Sequence, residues 1–179
     1  MRMKAVTWID SPVGTLRLAE ENGAVTELKF EEWDGKTEKA ETELLSRAER
    51  ELEDYFEGQR REFTLPLAPS GTEFQRRVWD ALLTVPYGET RSYGEIASLI
   101  GSPKASRAVG AANHRNPISI FIPCHRVIGA DGSLTGYGGG LDVKSSLLAL
   151  EQNRRRGEEN RNGNLGNRQK GEKVKRGKE

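Results

Sequence analysis

The chain has 179 residues, a formal net charge of +1 and a single cysteine. That length suits one ordinary domain or two small ones, and one cysteine excludes an internal disulfide while fitting a reducing cytosol. No apolar run approaches the roughly 18 residues of a membrane helix, and the N-terminus lacks the apolar core of a signal peptide. One cysteine and two histidines also leave no set of ligands for an all-Cys/His zinc site. Bulk charge announces no nucleic-acid partner, but its distribution is uneven: from Arg154 onward ten Lys/Arg face four Asp/Glu, a net of +6, which leaves the body near −5.

Residues 3–31 read as a β-meander. Lys4 to Ile9 is the first run, and Ser11-Pro12-Val13-Gly14 is turn chemistry. Thr15 to Ala19 alternates apolar and polar, the pattern of a half-buried strand. Asn22-Gly23 supplies a hairpin turn into Ala24–Phe30. From Thr37 to Glu57 the period becomes helical through Leu44, Leu45, Ala48, Leu52, Tyr55 and Phe56. Gly58 stops it, and Glu49, Arg50, Glu51 and Glu53 read as its solvated face. Phe63–Leu67 is extended, and Ala68-Pro69-Ser70-Gly71 is linker-like. Nothing up to this point carries a defensible nucleophile, acid pair or phosphate loop.

A helix is expected from Thr72, as its cap, to Leu83, with Phe74, Val78, Trp79 and Leu82 on the apolar face. Trp79 fits a core position better than a base-stacking one. A second helix is expected over Thr90–Ile100 and a third from Ser102 to about His114, around Gly101. This is a helix-turn-helix candidate. Ala105, Ser106, Ala108, Gly110, Ala111 and Ala112 are small, and Arg107 is large and cationic. Small residues permit close approach either to another helix or to a minor groove.

Ile120-Phe121-Ile122-Pro123-Cys124-His125-Arg126-Val127-Ile128 holds the only cysteine, with one of the two histidines beside it. It reads as a short buried strand that Pro123 interrupts, presenting Cys124 at the strand end. A neighbouring imidazole can take the thiol proton and make a nucleophile, although a lone buried cysteine is also an ordinary apolar residue. Asp131-Gly132 is a turn, and Gly136-Tyr137-Gly138-Gly139-Gly140 is a close-approach loop without Walker spacing. Asp142 is expected to cap a last helix over Val143–Gln152, with Val143, Leu147 and Leu150 buried and Glu151 at their border. The remainder is too polar to bury a core and is expected to be disordered.

The block from Phe74 to Glu151, with Asn113-His114-Arg115-Asn116-Pro117, Pro-Cys-His-Arg and Thr135–Gly140 in order, resembles the O6-alkylguanine-DNA alkyltransferases. The resemblance implies an α/β (α+β) fold. A small N-terminal sheet-plus-helix domain (1–70) supports a mostly helical, winged-helix-like DNA-binding alkyltransferase domain (71–153), with a basic tail (154–179) beyond.

It implies Cys124 as alkyl acceptor, His125 as its base, Glu151 as the acid that orients His125, Asn116 as a hinge, and Tyr93 as the residue that rotates the nucleotide and protonates the leaving oxygen. Arg107 would fill the gap left by the flipped base, with Ser92, Ala105, Ala108, Gly110 and Ala111 along the DNA. Pro123, Val127, Tyr137, Gly138 and Gly139 would form the pocket. Gly138 stands where many members have Ser, and Ser119 where some have Pro, which leaves the accepted size of alkyl group open.

The implied partner is duplex DNA carrying O6-alkylguanine, and by extension O4-alkylthymine, bound from the minor groove by a monomer in the cytoplasm. The implied reaction is irreversible and single-turnover, with no cofactor or metal and no membrane. A noncatalytic lesion binder and a cysteine hydrolase are the rival classes. The first has no use for Cys124, and the second needs an oxyanion hole that the sequence does not reveal.

Overall fold

A computed structural model describes residues 3–171, with side chains through residue 162. β1 (Ala5–Ser11), β2 (Gly14–Glu21) and β3 (Ala24–Phe30) form the expected antiparallel meander in that order. Asn22 and Gly23 have φ of +51° and +77°, the left-handed pair that a tight hairpin turn needs and that Asn-Gly adopts readily. Leu16 and Leu18 point inward and are fully buried, while Arg17 between them pairs with Glu27 on the outer face.

α1 (Glu43–Phe56) covers the sheet with Leu45, Ala48, Leu52 and Tyr55. It begins later than the expected Thr37. Thr42 Oγ1 accepts from Leu45 N and caps it, and Asp34 Oδ1 accepts from the amides of Lys36 and Thr37 and fixes a turn there instead. Glu51 departs from the solvated-face reading. It is buried, and its carboxylate accepts from Thr64 N (2.8 Å) and pairs with Arg47 and Arg60. It thereby pins the extended segment 63–67 to α1.

One edge of β3 is occupied by two later segments. Val25 N donates to Pro66 O (2.8 Å) and Ala68 N to Val25 O (2.9 Å). Further along, Leu28 N donates to Pro117 O (3.0 Å) and Ser119 N to Leu28 O (3.0 Å). The second half of the chain is therefore hydrogen-bonded directly to the first, and one apolar core runs through both.

α2 (Glu73–Leu82) starts with a capping box between Thr72 and Gln75. Trp79 is in the core as expected, and its Nε1 donates to Ala112 O (2.8 Å). The second expected helix begins three residues late. Arg91–Ser92 forms β4, Ser92 caps α3 (Tyr93–Leu99), and Glu95 closes the box. The third also begins late, as α4 (Ser106–His114), because Ser102–Ala105 makes a preceding turn and Ala105 is the cap residue. Val109 and Ala112 of α4 face α2 and α3. β4 pairs in parallel with β5 (Val127–Ile128), tying the start of α3 to the residues after the cysteine.

α5 (Leu141–Gly171) departs from expectation at both ends. Asp142 lies in its first turn rather than at its cap. Its buried positions are Lys144, Leu147, Leu148 and Glu151, so Leu148 takes the place read for Leu150. The helix does not stop at Gln152, and a disordered tail from Arg154 does not describe residues 154–171. Arg154 Nη2 donates to Glu57 O (2.7 Å), Arg61 pairs with Glu158, and Arg155 pairs with Glu159 one turn on. These charged contacts to α1 and its following loop, with an i,i+4 pair, hold turns that have no apolar face. Residues 172–179 of the expected tail lie outside the described residues.

Candidate active site

The segment around the cysteine is a series of tight turns rather than a strand. Ile118 docks on β3 beside Leu28, and Ile122 N then donates back to Ile118 O (3.0 Å). Between them Ile120 has φ of +70°, unusual for a β-branched residue. Pro123 has φ −80° and ψ 61°, and Cys124 N donates across it to Ile122 O (2.8 Å), an inverse γ-turn. Cys124–Arg126 follow as one 3-10 turn leading into β5. Pro123 does end the extended run, but the chain has already reversed at Ile120, so Cys124 sits at the start of a 3-10 turn.

Asn116 holds this arrangement. Its Nδ2 donates to Ile122 O (2.9 Å) and its Oδ1 accepts from Ile118 N (3.0 Å), one side chain closing the loop from both ends. Asn113, on the buried side of α4, donates to the Cys124 carbonyl (3.3 Å). Cys124 is 4% exposed at the wall of a cavity of about 360 Å³. Burial pushes its thiol above the usual range, although Asn116, Lys144 and Ser119 act in the opposite sense. The resting group is a thiol and needs a base.

His125, the residue that follows, has a defined tautomer. His125 and Glu151 are both fully buried, with Nε2 2.9 Å from Glu151 Oε1. Burial raises the Glu151 carboxyl, but His125 and Arg126 outweigh it and hold it down at about 2. An ionised carboxylate only accepts, so Nε2 carries the hydrogen. Burial lowers the His125 pKa, against the pull of Glu151, so the ring is neutral near pH 7 and its Nδ1 is left as an acceptor. Nδ1 has no partner among the described residues.

Glu151 accepts from more than the imidazole. Arg126 donates from Nε (3.0 Å) and Nη2 (2.8 Å), the Tyr55 hydroxyl donates to Oε1 (2.9 Å), and Gly88 N donates to Oε2 (3.3 Å). The paired guanidinium and carboxylate leave little net charge buried.

The cavity joins Cys124 to Tyr137 and Gly138 from the glycine loop, and to Lys29 and Phe30 from β3. Phe30 packs edge-on to Tyr137 at 5.5 Å and lies so close to Gly139 that a Cβ there would fall 2.9 Å from the ring. Gly139 thus backs the wall rather than lining it. Pro123 and Val127 are buried behind Cys124 and do not line the cavity. Lys144 bridges the region from α5, its Nζ donating to Val127 O (2.6 Å) and Thr135 O (2.9 Å).

Arg107, Ala108 and Ala111 form the solvent face of α4, while Ala105 and Gly110 are half-buried. Tyr93 lies against Gly110, and its hydroxyl is 2.6 Å from Thr135 Oγ1. Tyr93, Arg107 and Thr135 line a groove that shares His114 and Gly136 with the Cys124 cavity. Ser92 is apart, as the cap of α3.

Comparison with known proteins places both halves. The ribonuclease-like domain of 6-O-methylguanine DNA methyltransferase matches residues 5–69, and the DNA-binding domain of the same family matches residues 73–153. The chain belongs to the O6-methylguanine-DNA methyltransferase family. A methylated-DNA–protein-cysteine methyltransferase of Methanosarcina acetivorans is 53% identical over 79% of this chain and 94% of its own. The constitutive Bacillus subtilis protein of that name is 48% identical, covering 84% and 96%. Mycobacterium tuberculosis OGT, solved in complex with DNA, superposes with a TM-score of 0.77 at 53% identity, covering 84% and 94%.

Several residues around Cys124, His125 and Glu151 are not among those the sequence marks as functional. Tyr55, Lys29 and Phe30 come from the half to which no chemistry was assigned. Tyr55 was marked only as an apolar helix position, and nothing in its spacing announces a hydrogen bond 96 residues away. Arg126 lies inside the Pro-Cys-His-Arg run, and a cation beside a buried histidine already asks for a carboxylate. Lys144 stands seven residues before Glu151, and that spacing puts both on one helix face.

Proposed function

We propose that this chain repairs DNA by moving the alkyl group of O6-alkylguanine onto Cys124. The observation that carries the reading is a buried imidazole held by Glu151 at 2.9 Å, its Nδ1 without a partner among the described residues, in the residue that directly follows a thiol at a cavity wall. His125 Nδ1 takes the Cys124 proton through one bridging water. The thiolate attacks the alkyl carbon, forming the S–C bond as the C–O6 bond breaks, and the electron pair leaves on guanine. The departing base takes a proton from the Tyr93 hydroxyl, and solvent exchange resets Tyr93 and His125, so the net proton passes from Cys124 to guanine. The S–C bond of a thioether is not cleaved by thiols or water under mild conditions, so Cys124 is not regenerated and each molecule acts once.

The O6 atom lies inside the base stack, so the nucleotide must be flipped to reach the cysteine. The exposed small-residue face of α4 enters the minor groove, where backbone contact can be close and base readout is degenerate. Arg107 fills the gap in the stack, and Tyr93 crowds the phosphate beside it. The flipped base lies against Tyr137 and Gly138. O4-alkylthymine presents the same kind of alkylated exocyclic oxygen and is accepted on the same path. The protein acts as a monomer in the cytoplasm, in three parts: a supporting unit to residue 70, the DNA-binding alkyltransferase unit over 71–153, and a basic extension.

The test is intact-protein mass after incubation with excess duplex carrying one O6-methylguanine. One stoichiometric methyl group on Cys124, absent in Cys124→Ala, is the expected result. Tight lesion binding by reduced, folded protein without any gain in mass overturns the transfer and leaves a lesion binder.

A further inference from the structure

We infer that Tyr55 is a positioning residue for alkyl transfer: from the N-terminal half, its hydroxyl donates to the carboxylate oxygen of Glu151 that also receives His125, and so sets how strongly Glu151 holds the imidazole. The inference rests on the His125–Glu151 reading above and deepens it.

The geometry is specific. Oε1 of Glu151 accepts from His125 Nε2 at 2.9 Å, Arg126 Nη2 at 2.8 Å and Tyr55 Oη at 2.9 Å. With Arg126 Nε also at 3.3 Å, the oxygen is shared among four donors and offers each less than it would offer one. Tyr55 is itself fully buried. Burial, and then the adjacent Glu151 charge, hold its phenol well above the usual range, so it stays a donor throughout the working pH range. Its ring is fixed edge-on against Phe56 at 5.3 Å and Tyr87 at 6.2 Å, and tilted against Phe63.

Other groups acting on this cluster come from every packed element. Arg126 and His125 belong to the 3-10 turn, Tyr87 to the loop after α2, Lys144 to α5, and Tyr137 to the glycine loop. Among the described hydrogen bonds only Tyr55 reaches Glu151 from residues before 70. A weaker Glu151 acceptor keeps the imidazole neutral to lower pH, which preserves a base for the thiol. Docking α1 against α5 is then part of the reaction machinery.

The experiment compares wild type, Tyr55→Phe and Tyr87→Phe, which lies in the same aromatic cluster without a hydrogen bond to Glu151. Single-turnover methyl transfer is followed from pH 5 to 9, and His125 by NMR, with His114 as the only other histidine. In Tyr55→Phe, Glu151 becomes the stronger acceptor. The acid limb of the rate profile moves up by about half to one pH unit, and the His125 Nε2–H resonance moves downfield. Tyr87→Phe moves neither. An unmoved limb and resonance in Tyr55→Phe, or equal movement in Tyr87→Phe, overturns the role of Tyr55 while leaving the imidazole as base. A wild-type limb that does not track the His125 titration overturns the imidazole reading itself, and the Tyr55 inference falls with it.

Discussion

His125 Nε2 and Glu151 Oε1 lie 2.9 Å apart, and both side chains are fully buried. Their protonation states are therefore set by each other and by Arg126, and the pair bears on stability as well as on the proposed chemistry. Glu151→Gln removes the negative charge and leaves the Arg126 guanidinium buried without compensation. A loss of about 3–5 kcal/mol is expected, as for other broken buried pairs. Chemical denaturation measures it, and methyl transfer at permissive temperature should slow more than about tenfold.

The same pair predicts acid sensitivity in two windows. The His125 pKa is depressed in the folded state, so below its ordinary value of 6.5 the unfolded chain binds the proton first and stability falls with pH. Glu151 is held at about 2 against an ordinary 4.5, so its contribution is present above 4.5 and is lost as pH falls toward 2. Denaturation midpoints between pH 8 and 3 should decline first below about 6.5 and more steeply below about 4.5. A flat profile across the lower window would remove the ionised Glu151.

Gly139 is where the two halves touch at the cavity wall. A Cβ there falls 2.9 Å from the Phe30 ring, so Gly139→Ala must displace the ring or the loop. A cost of about 1–3 kcal/mol is expected. Phe30→Leu should relieve much of it, and a double-mutant cycle in thermal unfolding should return a coupling above about 0.5 kcal/mol.

Gly138 behaves oppositely. A Cβ at this position meets nothing within 4 Å, so Gly138→Ser should leave the melting temperature unchanged. Any effect should be confined to alkyl transfer, read by comparing O6-methylguanine with O6-benzylguanine duplexes.

Arg107 is exposed on α4 and makes none of the described hydrogen bonds or salt bridges. Arg107→Ala should leave folding intact and weaken duplex binding. If the side chain displaces a base rather than meeting a phosphate, the salt slope of binding should stay unchanged, whereas loss of a phosphate contact lowers it by about 0.9.

Particular elements show what the sequence made legible. The Asn22-Gly23 hairpin, the Thr72 cap and the Trp79 core position follow from local rules, and the structure has them. Helical spacing carries Glu151 to a buried border, and its role beside His125 comes from the family resemblance rather than from that spacing. The segment before Cys124 looked like a strand because Ile, Phe and Ile share a strand's composition. What decides its shape is Ile120 at positive φ, held by Asn116 and by pairing with β3. Those contacts come from elsewhere in the chain, and a window of neighbours does not contain them. The same holds for Tyr55 and Phe30, whose roles depend on how the first half docks. α5 runs past Gln152, and over its next two turns Arg154, Arg155 and Glu158 find partners that polar composition alone does not announce.

The edge of β3 pairs with residues 66–68 and 117–119, and α1 sends Tyr55 to Glu151. A break in the chain near residue 70 would sever neither set of bonds. The 66–68 pairing stays within the first piece, whereas the 117–119 pairing and the Tyr55 bond join the two, so the pieces carry matched, unsatisfied groups when apart and should reassemble when mixed, with alkyl transfer returning only on reunion. The fold is in that sense a ready-made split reporter, divided at a joint where no catalytic group has to move.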